Sequence, residues 1–110
     1  MHDAGASGLA FFKCDFCRRP WSDDRPMVEG HRGSLICAGC LTVAYTRLAL
    51  LNDPDTQRVE RCALCLEPRD QPGYASPLDP STVACLRCIK QSATVLHKDP
   101  DIDWSKPTSA

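Results

Sequence analysis

Apolar residues recur in two similar stretches along the chain, each with a short apolar return leading into a helix-length run. Residues 1–8 are small and polar and predict a loose arm over 1–10. The apolar run 9–12 (LAFF) follows, and Phe11 or Phe12 is expected to join the core. Pro20, Ser22, Asp23, Asp24 and Pro26 then mark a loop. Met27 and Val28, a turn over 30–33, and the apolar return at Leu35 and Ile36 have the pattern of a short hairpin. Leu41, Tyr45, Leu48 and Leu51 keep helical spacing, and Asn52, Asp53 and Pro54 supply the stop. This first helix is apolar nearly all round, with Val43, Ala44, Ala49 and Leu50 off the main stripe. Such a surface exceeds what a two-stranded unit can cover, so part of it is expected to pack against another unit.

The polar, proline-bearing stretch 53–59 predicts a linker, after which the plan repeats. Pro68 falls where Pro20 does, residues 78–82 (LDPST) occupy the turn region, and Val83 and Ala84 match Leu35 and Ile36. A second helix over 86–97 places Leu86, Ile89, Ala93 and Leu96 on one stripe and is more polar elsewhere. Residues 99–110 are acidic and then proline- and serine-containing, without period, and predict a flexible tail. The organisation expected is therefore an arm at 1–10, a unit at 11–52, a linker at 53–59, a unit at 60–98 and a tail at 99–110.

Units of about 45 residues bury little apolar surface, and chains of that size usually need a metal, disulfides or a partner to fold. Eight cysteines among the 110 residues address that need, all in Cys-x-x-Cys knuckles: Cys14 and Cys17, Cys37 and Cys40, Cys62 and Cys65, Cys85 and Cys88. Each second-unit cysteine stands 48 positions after its counterpart, and the stretch between paired knuckles is 19 residues both times. A disulfide framework requires an oxidising compartment. The start has no positive n-region and no apolar core of signal-peptide length, so the expected location is cytoplasmic. Near-neighbour cysteines close strained disulfide loops, whereas their thiolates converge readily on one metal.

Two structural zinc ions are the reading that follows, one on Cys14, Cys17, Cys37 and Cys40 and one on Cys62, Cys65, Cys85 and Cys88. Equal spacing favours this sequential pairing over an interleaved cross-brace, which stays open. Iron–sulfur spacing usually crowds three cysteines into one loop, and a redox Cys-x-x-Cys normally stands alone. The second knuckle of each unit sits at a helix N-terminus, where free backbone amides and the helix dipole favour thiolates. A four-thiolate zinc is coordinately closed, which removes Lewis-acid chemistry, and its binding is worth about 10–16 kcal/mol of folding free energy in small zinc-finger peptides. His2, His31 and His97 occupy no repeated position and are expected to face solvent. No catalytic constellation or phosphate loop is evident, so no enzyme activity is expected.

The segments CDFC, RPMVEG and GSLICAGC, followed by an apolar helix, resemble the zinc-binding domain at the N-terminus of the ClpX unfoldase over about residues 12–52. The metal role carries to Cys14, Cys17, Cys37 and Cys40. The second unit shares the cysteine plan and the closing helix, but PGYASPLDPSTVAC departs from the hairpin pattern, making it a more divergent copy. The resemblance implies a small metal-stabilised α+β fold of two tandem treble-clef-like zinc fingers, each a knuckle, a short β-hairpin and a helix. In that family the domain dimerises and binds substrates and adaptor proteins beside an ATPase, and no ATPase segment is present here.

The resemblance and the excess apolar surface together imply a zinc-dependent protein-interaction module of adaptor, substrate-recognition or dimerisation type. Its expected partners are a protein or peptide, such as a protease or chaperone component or its substrate, with the fingers joined in a homodimer or an intramolecular pseudo-dimer. Leu41, Val43, Tyr45, Leu48, Leu50 and Trp104 are the candidate interaction surface. A treble-clef nucleic-acid binder is the alternative, since GATA-type fingers have nearly this spacing. Those fingers follow their helix with a basic tail, whereas acidic segments stand here. Ligation also takes the formal charge from −1 to about −5, which disfavours phosphate binding. No stretch is apolar enough to span a membrane.

Overall fold

The computed structural model describes residues 2, 5, 11–51 and 57–108 of the chain. Most of the arm, the Asn52–Asp53–Pro54 helix stop and the last two residues lie outside that description. The first unit is a two-stranded antiparallel sheet of β1 (Met27–Glu29) and β2 (Leu35–Cys37), followed at once by α1 (Ala38–Tyr45). Met27 pairs with Cys37, Val28 with Ile36 and Glu29 with Leu35. The reversal between the strands uses left-handed backbone at Arg32 (φ 56°) and Gly33 (φ 75°), the latter a conformation glycine adopts without steric cost.

The first helix does not end at Tyr45 but widens into a π-helical turn over Thr46–Leu50, in which the Leu51 amide donates to the Thr46 carbonyl at 3.0 Å. This turn breaks the expected stripe. Leu41, Ala44 and Leu48 are buried, but the extra residue rotates Leu51 outward, leaving it 67% exposed.

The second unit is a three-stranded sheet ordered β3–β4–β5, made of Gln57–Val59, Arg69–Ala75 and Val83–Cys85, and closed by α2 (Leu86–Lys98). β3 comes from the stretch expected to be only a linker. β4 holds it with a bulge between Arg58 and Val59, opposite Pro72, whose missing N–H is tolerated because β5 pairs only from Gly73 onward. Gly73 is required there. A Cβ on it would lie 2.5 Å from both Val59 Cγ2 and Val83 Cγ1 and 3.0 Å from the Ala84 carbonyl.

The equal 19-residue intervals conceal a redistribution. In the first unit Met27 faces Cys37; in the second it is Gly73 that faces Cys85, two positions earlier than the 48-residue step would place it. The loop before the hairpin is shorter by those two residues, and the hairpin turn, 76–82, is longer. Asp79 organises that longer turn, accepting from the Ser81 hydroxyl at 2.7 Å and the Ser81 amide at 3.1 Å. These bonds, the hydroxyl's first, hold the Asp79 carboxyl below its ordinary value.

The buried residues form one cluster that spans both units, and α1 packs against α2. The third residue of each first knuckle is the join. Phe16 is fully buried, its ring 5.7 Å from that of Tyr74, and its carbonyl accepts from the Ser76 hydroxyl at 2.5 Å. Leu64, 48 positions later, is buried in turn, and its carbonyl accepts from the His31 amide at 2.7 Å. Each knuckle thus caps the other unit's hairpin, in an approximately two-fold manner.

The tail has no helix or strand over 103–108, in keeping with its lack of period. It is nonetheless laid against the protein, with Ile102 and Trp104 packed on the core. Phe12 also joins the core and packs edge-to-face with Trp21, while His2 stacks on Phe11 at 5.0 Å.

Two candidate metal centres

In each unit the first knuckle precedes the hairpin and the second closes it, so that strand pairing brings four sulfur atoms together. The sequence separation between the knuckles is bridged by β1–β2 in one case and β4–β5 in the other. The sets are Cys14, Cys17, Cys37 and Cys40, and Cys62, Cys65, Cys85 and Cys88, each with all sulfurs within 4.8 Å of one another. This is the sequential pairing, and the interleaved cross-brace is excluded. No cysteine is in a disulfide.

The distances suit zinc. A tetrahedron with Zn–S bonds of about 2.3 Å has S–S edges of about 3.8 Å. The Cys14–Cys40, Cys17–Cys37 and Cys65–Cys85 sulfurs are 3.8, 3.6 and 3.9 Å apart.

Backbone amides surround the sulfurs in the same way twice. Cys14 Sγ accepts from the amides of Phe16 and Cys37, both at 3.4 Å, and Cys37 Sγ from that of Cys40 at 3.5 Å. Cys62 Sγ accepts from the amides of Leu64 and Cys85, both at 3.3 Å, and Cys85 Sγ from that of Cys88 at 3.5 Å. The knuckle backbone repeats as well. Arg18 and Leu66 both take left-handed φ, 62° and 64°, as the chain turns so that the Cys14 and Cys62 amides reach the Arg19 and Glu67 carbonyls. Cys37 and Cys85 are also the N-caps of α1 and α2, which joins the helix dipole to the site.

Crowding divides the protons unequally within each set. Hydrogen bonds from Cys37 and Cys40 hold Cys14 far below the usual thiol value, while bonds to Cys14 and then Cys37, with burial, push Cys40 far up. Cys37 is pushed up to about 11, chiefly by its bond to Cys14. In the second set Cys62 is pulled down to about 4, foremost by the Cys88 thiol, which is itself driven up; burial raises Cys85. One sulfur gathers the negative charge and its neighbours resist ionising. A divalent cation at the centre is what allows all four to be thiolates.

β4 braces both centres. Tyr74 is buried, and its hydroxyl is raised first by burial and then by the charge of the nearby Cys40. A side chain of the second unit therefore adjoins a ligand of the first. Arg69 bonds Glu67 at 2.8 Å and lies beside Cys65, whose hydrogen bond is the main cause of a raised guanidinium value. Its Nε is buried without a hydrogen-bond partner. A cleft of about 390 Å³ between the first hairpin and α2, lined in part by Val28, His31, Cys65, Arg87 and Cys88, opens beside the second centre.

The candidate interaction residues separate on the structure. Leu41 and Leu48 are buried, at 0% and 2% exposure, and belong to the core because α1 turns them onto it. Val43 is 47% exposed, Tyr45 and Leu50 are half-buried, and Trp104 is half-buried with its indole bonded to Thr42. The residues that join the units, Phe16, Leu64, Tyr74 and Ser76, were not among the candidates. Their one signal is an apolar third residue in both first knuckles, CDFC and CALC. His31 and His97 are exposed, as expected.

Two hairpins, two helices and two closed four-cysteine sites define a protein of tandem zinc fingers holding two structural zinc ions. Residues 13–49 match the family described as the ClpX C4-type zinc finger, and the second four-cysteine set marks a second, divergent copy. No curated protein and no solved structure matches the chain. Among the described residues, no helix is long and apolar enough to cross a membrane.

Proposed function

We propose that the protein is a zinc-dependent protein-interaction module that binds a protein or peptide partner, such as a protease or chaperone component or its substrate. The observation that supports this most is what the helices leave uncovered. The zinc sites and the Phe16 and Leu64 contacts satisfy the interior, yet Val43 at 47%, Leu51 at 67% and Val95 at 59% exposure remain on α1, on the residue ending its π-turn, and on α2. Such side chains gain by being covered, at about 25 cal/mol per Å² of apolar surface buried. The match over residues 13–49 supports the same reading.

The intramolecular packing supports a pseudo-dimer in place of a pair of chains, and native mass spectrometry tests it through chain number and zinc content in one spectrum. Binding itself is tested by capture of an unfolded model polypeptide, such as reduced casein, on immobilised zinc-loaded protein. Val43→Asp and Leu51→Asp are expected to lose capture while retaining two zinc ions and the native circular dichroism. Equal capture by both variants and the parent chain would sink the proposal.

A further inference from the structure

We infer that residues 102–104 are seated in a peptide-binding site formed jointly by the two units, and that the site takes, in trans, a short extended peptide carrying an aliphatic residue and, two positions on, a tryptophan. The inference rests on the interaction-module reading and names the chemistry of the ligand.

The tail reverses immediately after α2. Asp99 is the turn's pivot: its amide donates to the Leu96 carbonyl at 3.3 Å, its carbonyl accepts from the Ile102 amide at 3.3 Å, and its Oδ1 accepts from the Asp101 amide at 2.9 Å. The chain returns with alternate faces. Ile102 and Trp104 pack on the core while Asp101, Asp103 and Ser105 stay exposed, the period of an extended peptide. Trp104 Nε1 donates to Thr42 Oγ1 at 3.0 Å, across 62 positions of sequence, and the Lys106 amide donates to His97 Nδ1 at 3.0 Å. The Thr42 hydroxyl spends its own proton on the Ala38 carbonyl at 2.9 Å, which leaves a lone pair for the indole.

Thr42 belongs to α1 of the first unit and His97 to α2 of the second, so this seat exists only when the units are packed together. Its occupant has no helix or strand and is held by two apolar side chains and two hydrogen bonds to the helices, a set that a peptide of the same pattern can replace. The partner this fits is an extended segment with an aliphatic residue and a tryptophan two positions apart, the residue between them facing solvent. A short tether presents the tail at an effective concentration on the order of millimolar. A peptide of intrinsic affinity about 100 μM then meets a site that is free about one-tenth of the time, so opening the seat raises trans affinity about tenfold.

The test uses the full zinc-loaded chain and a fluorescein-labelled peptide DPDIDWSKPT, followed by anisotropy. The Trp104→Ala chain is expected to bind the peptide about tenfold more tightly than the parent. The same peptide with alanine for tryptophan should not bind, and Thr42→Val added to Trp104→Ala should weaken binding again. Ile102→Ser serves as an independent way to open the seat. In a Trp21→Phe background, Thr42→Val alone should red-shift the emission of Trp104. Equal, unsaturating binding by parent, Trp104→Ala and Ile102→Ser chains overturns the inference. If casein is captured while the peptide is not, this inference alone falls; if the peptide binds while casein is not captured, the seat stands and the role given to the exposed Val43 and Leu51 surface falls.

Discussion

Phe16→Ala probes the contact that joins the two units, the burial of a first-unit knuckle residue under a second-unit hairpin. The ring is completely buried and lies 5.7 Å from Tyr74. Removing it forfeits the transfer free energy of a buried aromatic and leaves a cavity between the units, together about 3–5 kcal/mol, of which the ring pair accounts for about 0.5–1.5 kcal/mol. The backbone carbonyl that accepts from Ser76 stays in place, so the loss is one of packing. With excess zinc present, urea unfolding should move to a lower midpoint by about 1.5 M or more, taking a slope of about 1–2 kcal/mol per M. The informative readout is in the other unit. Amide exchange at Ala84 and Cys85, in the strand next to β4, should accelerate although none of the second centre's four ligands has changed. A Tyr74→Ala partner variant allows a double-mutant cycle, and Phe16→Leu provides a milder form if the alanine chain does not fold. A cost below about 1 kcal/mol, or unchanged exchange in the second unit, would show that the fingers are independent and refute the argument.

Other outcomes follow from the centres. Tyr74→Phe removes the hydroxyl beside Cys40 and should hasten chelator extraction of the first zinc about 10-fold or more while sparing the second; Arg69→Gln, acting on Cys65, should do the reverse, and equal effects on both zincs would contradict either assignment. Gly73→Ala drives a methyl into Val59 and Val83 and should cost about 1–3 kcal/mol by overpacking, measured by urea unfolding in zinc. Zinc removal by a chelator should abolish the native circular dichroism, and because ligation needs thiolates, zinc affinity should fall as pH falls, with about four protons released per zinc bound near neutral pH in an indicator assay. Retained helix after complete demetallation would count against metal-dependent folding. For nucleic acid, a gel shift at low salt is expected to show no retardation.

Much of the local design was legible in the residues. Cys-x-x-Cys spacing fixes how two sulfurs can reach one ion, since ligand geometry is short-ranged and tolerates little variation, while the 48-residue step favours the sequential pairing and the strand pairing is what excludes the cross-brace. The hairpin over 27–37, the start of each helix at a ligand cysteine and the inner face of α2 follow from the same nearest-neighbour rules. The equal 19-residue intervals, however, do not reveal that the second hairpin is shifted by two positions, because that choice belongs to Gly73, the one residue small enough to sit between Val59 and Val83. Nor does helical periodicity foresee the π-turn that releases Leu51.

What the sequence determined by itself is therefore the metal: eight ligands in four knuckles and the secondary structure that each site nucleates. What only the tertiary structure decided is everything that joins one site to the other. The exchange of Phe16 and Leu64 between units, the recruitment of residues 57–59 as a strand, the reach of Tyr74 to Cys40 and the return of Trp104 to Thr42 each depend on segments far apart in the chain. Metal ligation is set by covalent neighbours, whereas these contacts are set by complementary shapes and unpaired polar groups that meet only once both fingers have folded.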